Sequence, residues 1–205
     1  IEGTVESVSP IGNGLINETL RVKTVDANTP DYILQRINNA IFTDVDLLQH
    51  NIELVTDHIR HKLMEKGETD IERKCLRFVQ AKDGKTYYKD ADNRYWRVSV
   101  FIPNAVTKEE VNPESAFCCG ETFGNFQNML VDLKEPLGET IPDFHNMELR
   151  LRQLREAVSA DKAGRVASVK DILAELERDA DEMCLAERLY REGALPKRIC
   201  HCDTK

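Results

Sequence analysis

Ser9-Pro10-Ile11-Gly12-Asn13-Gly14-Leu15-Ile16-Asn17 is the stretch on which the fold turns. Strand character flanks its centre, at 5–9 and again at 15–25. Ile16, Leu20 and Val22 largely keep to one face, as a half-buried strand requires. Two glycines between strands let backbone approach a polyphosphate closely and aim N–H groups at it. A plain hairpin turn has the same composition. No Gly-Lys-Ser/Thr follows, and the next element is a strand rather than a helix, which excludes a Walker-type phosphate loop.

Working outward, Tyr32–Ile37 reads as a third strand. The spacing of Leu48, Ile52, Val55, Ile59 and Leu63 predicts a helix over 44–66, with Thr43 as cap and Asp46 three residues on. Strands are expected at 75–81, 85–89 and 95–102, parted by the turn signals Asp83-Gly84 and Asp92-Asn93. In the last of them Trp96, Val98, Val100 and Ile102 share a face.

After Pro103 the pattern turns helical. Pro113 suits the first turn of a helix running to about 131, and Pro136 and Gly138 break it. Asp143 is expected to cap a second helix, striped by Phe144, Met147, Leu151, Leu154 and Val158. A third carries Val169, Ile172, Leu176, Ala180 and Met183, and ends near Gly193. The expectation is therefore an α+β fold with an antiparallel sheet and one helix over 1–102, and a helical region over 103–205. A cleft between two such lobes is where small ligands bind.

The 205 residues carry a formal charge of −8, which argues against nucleic-acid binding through a general basic surface. No apolar run is long enough to span a bilayer. The six cysteines form no C-x-x-C pair. With no signal-peptide pattern at the start, free thiols fit a reducing cytoplasm. The first residue is Ile1, not Met, and residues upstream are expected.

Four further places can carry chemistry. Arg36, on the third strand, can place a cation over phosphates, or face water at a strand end. Glu53, on the first helix, can pair with Arg36, as kinases pair a strand cation with a helix glutamate, or stay solvated. Near the end, Arg198-Ile199-Cys200-His201-Cys202-Asp203 leads a β-prone stretch into His-x-Asp. An aspartate in such a loop can accept a proton from an attacking hydroxyl while the histidine braces the loop. The four neighbours 200–203 alternate faces in extended chain and do not converge on one metal ion without a sharp turn. Asp143 and His145 stand at a helix start where polar groups can meet a substrate, though Asp143 also suffices as a cap.

Taken in order, several stretches resemble the aminoglycoside-phosphotransferase/choline-kinase superfamily, nearest to its N-acetylhexosamine 1-kinase group. They are Pro10-Ile-Gly-Asn-Gly-Leu-Ile-Asn17, Tyr32-Ile-Leu-Gln-Arg-Ile-Asn38 and Tyr95-Trp-Arg-Val-Ser-Val-Phe-Ile102. Gly120-Glu-Thr-Phe-Gly-Asn-Phe-Gln127, Glu139-Thr-Ile-Pro-Asp-Phe-His145 and His201-Cys-Asp-Thr-Lys205 follow.

The resemblance implies a protein-kinase-like two-lobe fold. It implies ATP and Mg2+ as cofactors and a small-molecule acceptor, an amino sugar phosphorylated at its anomeric hydroxyl. It makes Asp203 the general base beside His201, sets Gly12, Asn13 and Gly14 over the phosphates, and aligns the usual phosphate-gripping lysine with Gln35 or Arg36.

Two departures qualify this. Neither aligned residue is lysine. The family motif also continues to an asparagine five residues past Asp203 and then to a metal-binding aspartate, whereas this sequence ends at Lys205. The polypeptide as given is therefore expected to lack useful kinase activity. The alternatives are a non-catalytic pseudokinase or nucleotide-binding module, or a kinase of another acceptor such as choline or an aminoglycoside.

Overall fold

The computed structural model describes residues 1–12, 14–106 and 110–202. In chain order the first elements are β1 (Val5–Pro10), β2 (Glu18–Thr24), β3 (Tyr32–Ile37), α1 (Val45–Glu65), α2 (Ile71–Lys74), β4 (Tyr88–Lys89) and β5 (Tyr95–Val100). The strands form one antiparallel sheet in the order β1-β2-β3-β5-β4.

The expected strand over 75–81 is reduced to a bridge, Phe78 against Ser99. The reason is that β5 has one free edge and two claimants. Tyr95 and Trp96 pair with β4, while Val98 and Val100 exchange backbone bonds with Val79 and Arg77 at 2.9 Å each. The strand expected at 85–89 shrinks to two residues for the same reason.

Asp44, not Thr43, caps α1. Its side chain accepts the Leu47 N–H at 2.9 Å, satisfying one of the donors orphaned at a helix start. The shift brings Val45 inward, where it is buried with Ile37 and Tyr87 against Phe42, Leu48 and Tyr95. Ile37 is 1% exposed, and such burial contributes about 1.5–3 kcal/mol. Ile37 and Tyr95 are register partners, so this core marks the sheet face that α1 covers.

The helix α3 (Pro113–Met129) opens with a capping box between Asn112 and Ser115. The chain after it returns to α1. The His58 ring meets the Met129 carbonyl at 3.1 Å and Asp132 at 3.0 Å, and the Lys62 ammonium reaches Asp132 at 2.5 Å. Asn51 exchanges two hydrogen bonds with the Gly138 backbone, at 2.7 and 3.1 Å. A Cβ at Gly138 would stand 2.5 Å from a Leu47 methyl, which accounts for glycine there.

By contact clustering the chain forms two compact units, residues 1–141 with 200–205, and residues 142–199. The lobe boundary read from the sequence lay at 102/103. The second unit holds α4 (Met147–Ala160), a 3-10 turn (Val166–Val169), α5 (Lys170–Arg178), α6 (Ala180–Met183) and α7 (Leu185–Arg191). Asn146, not Asp143, caps α4, through a bond from Leu149 N–H at 3.0 Å. The single helix expected after Val169 is interrupted at Asp179 and Cys184, whose ψ values of 2° and 3° leave the helical region. Within this unit Arg191 grips Glu148 and Arg155 grips Glu177, each through two hydrogen bonds. Among the described residues no helix is long and apolar enough to cross a membrane.

Candidate functional site: a polar row beside the glycine turn

The turn between β1 and β2 is closed by the Ile11 N–H donating to the Thr19 carbonyl at 3.1 Å. Gly12 has φ +77° and nothing within 4 Å of where a Cβ would sit, so its backbone is open on that side. Asn17 anchors the turn by accepting the Asn38 N–H at 2.9 Å. Asn13, expected over the phosphates, lies outside the described residues.

Strand alternation sends Gln35 and Arg36 to opposite faces. Arg36 pairs across to Glu18 at 2.8 Å and is exposed. Gln35 has Thr19 as its register partner on β2 and Arg97 on β5. The three make a polar row one step along from the apolar Ile37–Tyr95 pair, on the face α1 covers. The Gln35 amide donates to the Thr19 hydroxyl at 2.9 Å. Its carbonyl accepts Nε and Nη2 of Arg97 at 3.0 and 2.7 Å.

From α1, Gln49 completes the cradle. Its carbonyl accepts Arg97 Nη1 at 3.0 Å, and its amide donates to the Thr86 hydroxyl at 2.9 Å. The Thr86 hydroxyl in turn donates to Glu53 at 2.5 Å. Each partner is fixed by the next, and such chains strengthen cooperatively in a low-dielectric setting. The Phe78 ring lies 5.5 Å from the guanidinium carbon. Burial draws the Arg97 pKa down to about 10. That value still leaves it cationic at neutral pH.

The expected Arg36–Glu53 pair therefore does not form. Each finds a different partner because Arg36 points away from α1. Glu53 belongs instead to the network that holds Gln35. The sequence reading missed Arg97, Gln49, Thr86 and Thr19. One signal was available: Gln49 interrupts the apolar stripe of α1 and is 2% exposed, a polar residue at a core position. Arg97 carried no local signal, since an arginine in a strand is ordinary.

Also in the first unit, His201 lies against Phe123 and Phe126 of α3, with ring centroids 5.6 and 6.0 Å apart. Asp203, the candidate base, lies outside the described residues. Asp143 and His145 belong to the second unit. Asp143 has φ +53°, and its carboxylate accepts from the Asn146 amide at 3.1 Å. The His145 ring meets the edge of Phe144 at 4.4 Å.

Among the described residues the Arg97 cation is hydrogen-bonded by amide carbonyls alone, in a row that begins at the residue closing the turn, and this arrangement fits an anionic ligand. For a metal the described residues offer no group of three or more His, Cys, Asp or Glu.

The family model of the phosphotransferase enzyme family (APH) matches residues 7–205, and the chain belongs to that family. A solved spectinomycin phosphotransferase, in complex with ADP and spectinomycin, is similar in fold. The TM-score is 0.52 at 13% identity, with 98% of this chain covered. This chain spans 58% of the length of that one. The fold is thus the kinase-like one, with its antiparallel sheet and helices.

Proposed function

We propose that the chain forms the nucleotide-binding part of an ATP-dependent phosphotransferase that acts on a small-molecule hydroxyl, the anomeric hydroxyl of an N-acetylhexosamine. Family membership supports the reaction class. The observation that carries the nucleotide reading is the cationic row Thr19–Gln35–Arg97 on the α1 face beside the open glycine turn.

In this reading ATP would supply the phosphoryl group, and a bound Mg2+, for which the described residues hold no ligand group, would supply charge neutralisation. The backbone around Gly12 and Gly14 approaches the phosphates. Asp203 takes the proton of the acceptor hydroxyl as its oxygen bonds to the γ-phosphorus and ADP departs. His201, against Phe123 and Phe126, is the proposed brace for the candidate base Asp203. Asp143 and His145 are the proposed acceptor contacts.

The test is a two-part measurement on the chain. ATP raises the melting temperature in proportion to its affinity, and more so with Mg2+. Labelled ATP is then offered with N-acetylglucosamine, N-acetylgalactosamine, choline and an aminoglycoside. Transfer to one of the two hexosamines alone supports the reading and overturns the expectation that this polypeptide lacks useful kinase activity. A protein blind to ATP in both measurements overturns it. Gln35 in place of a strand lysine favours the second reading, a nucleotide-binding module without transfer. That reading predicts an ATP-induced shift indifferent to Mg2+ and no labelled product.

A further inference from the structure

A desolvated guanidinium is costly unless a negative charge compensates it. Arg21 on β2 and Arg36 on β3, the latter solvent-exposed, each have one. Arg21 of β2 grips Asp31 at 2.6 Å, and Arg36 of β3 grips Glu18 at 2.8 Å. Arg97 of β5 is half-buried and, among the described residues, has no carboxylate within ion-pair distance. Its hydrogen-bond acceptors are two neutral amide carbonyls. These occupy three N–H groups of a guanidinium that carries five, so two remain for a ligand.

The cradle orients this charge. Gln35 holds the Nε–Nη2 edge and Gln49 the remaining nitrogen, so the plane is set from two sides, by β3 and by α1, which share one core. The one carboxylate of the network, Glu53, sits three hydrogen bonds away, behind Gln49 and Thr86. It polarises the chain without neutralising the cation. The far end of the row is Thr19, whose carbonyl closes the glycine turn. The row therefore begins at the residue that closes the turn.

We propose that Arg97, presented from β5, is the cation that grips the phosphates of the nucleotide, with Gln35 and Gln49 as the positioning residues that hold its plane. The inference rests on the phosphotransferase reading and identifies the phosphate contact within it. A guanidinium suits the task because its fork can meet two phosphate oxygens at once. Arg36, on the opposite face and already paired, is excluded.

The test is calorimetric titration of the chain with ATP and with adenosine in EDTA, so that no metal contributes. Arg97→Met lowers ATP affinity about 10- to 100-fold and leaves adenosine affinity unchanged. Arg97→Lys keeps the charge, loses the fork and falls between. Arg36→Met binds ATP as the wild type does. Gln49→Glu places a carboxylate against Arg97. It weakens ATP binding while the melting temperature holds or rises, a combination that general unfolding cannot produce. Undiminished ATP binding in both Arg97→Met and Gln49→Glu overturns the assignment of Arg97 alone. So does a loss in Arg36→Met equal to that in Arg97→Met. A wild-type chain that binds neither ATP nor adenosine overturns the phosphotransferase reading and this assignment with it.

Discussion

Gln35 and Arg97 stand directly opposite one another on β3 and β5, and the single carbonyl oxygen of Gln35 accepts two N–H bonds from the Arg97 guanidinium, at 3.0 and 2.7 Å. A neutral amide thus does structurally what a carboxylate would do elsewhere, and leaves the positive charge intact.

Gln35→Leu removes the acceptor for both bonds and leaves two half-buried donors without a protein partner. The cost of such orphaned donors is about 1–3 kcal/mol. Urea unfolding should show a lower midpoint by that amount with an unchanged slope. An unaltered midpoint would mean that solvent already serves these donors.

Glu53 should be energetically coupled to Thr86 and not to Arg36. A double-mutant cycle over Glu53 and Thr86 is expected to give about 1 kcal/mol, from a bond of 2.5 Å. The cycle over Glu53 and Arg36 should give a coupling near zero, because Arg36 is held by Glu18 on the other face.

Asp31 makes folding stability sensitive to acid. The Thr24 backbone N–H at 3.0 Å and then the Arg21 guanidinium hold its carboxyl below the ordinary value of 3.8. A carboxyl depressed in the folded state contributes fully above its unfolded pKa. That contribution is lost as pH falls through the folded value. Unfolding free energy should therefore drop between about pH 5 and pH 2, and less steeply in Asp31→Asn. Parallel curves for the two proteins would contradict this.

Thiol chemistry should report the packing of the first unit. Cys75 is buried, its Sγ–H donates to the Thr56 carbonyl at 3.3 Å, and burial pushes its pKa up. Cys118 and Cys119 are exposed on α3. Alkylation followed by mass spectrometry should label 118 and 119 rapidly, and 75 only at the rate of unfolding. Equal rates would show that the 71–75 segment opens freely.

Much of the sheet was legible because strand alternation and turn residues act locally. Tyr32–Ile37 was placed to the residue, and α1 was displaced only at its cap. The segment 75–81 failed because two pieces of chain compete for one edge of β5, which no local pattern records. Of the candidate site, the glycine turn could be read directly, whereas Gln35 entered only through the family resemblance, which left it open against Arg36. The true partner of Glu53 could not, because Thr86 lies 33 residues away in a turn with no periodicity.

The sequence by itself determined that neighbours in β3 face opposite ways, so only one of Gln35 and Arg36 could serve a ligand on a given side. It also determined the antiparallel sheet, the apolar stripe of α1 and membership in a phosphotransferase family. Only the tertiary structure decided which face α1 covers, and hence that Gln35 is the inward residue. It alone brought Arg97 to Gln35 across 62 positions of chain. The reason is physical: alternation is a property of a single strand, whereas the register of β3 against β5 is set by the packing of Ile37 and Tyr95 under α1.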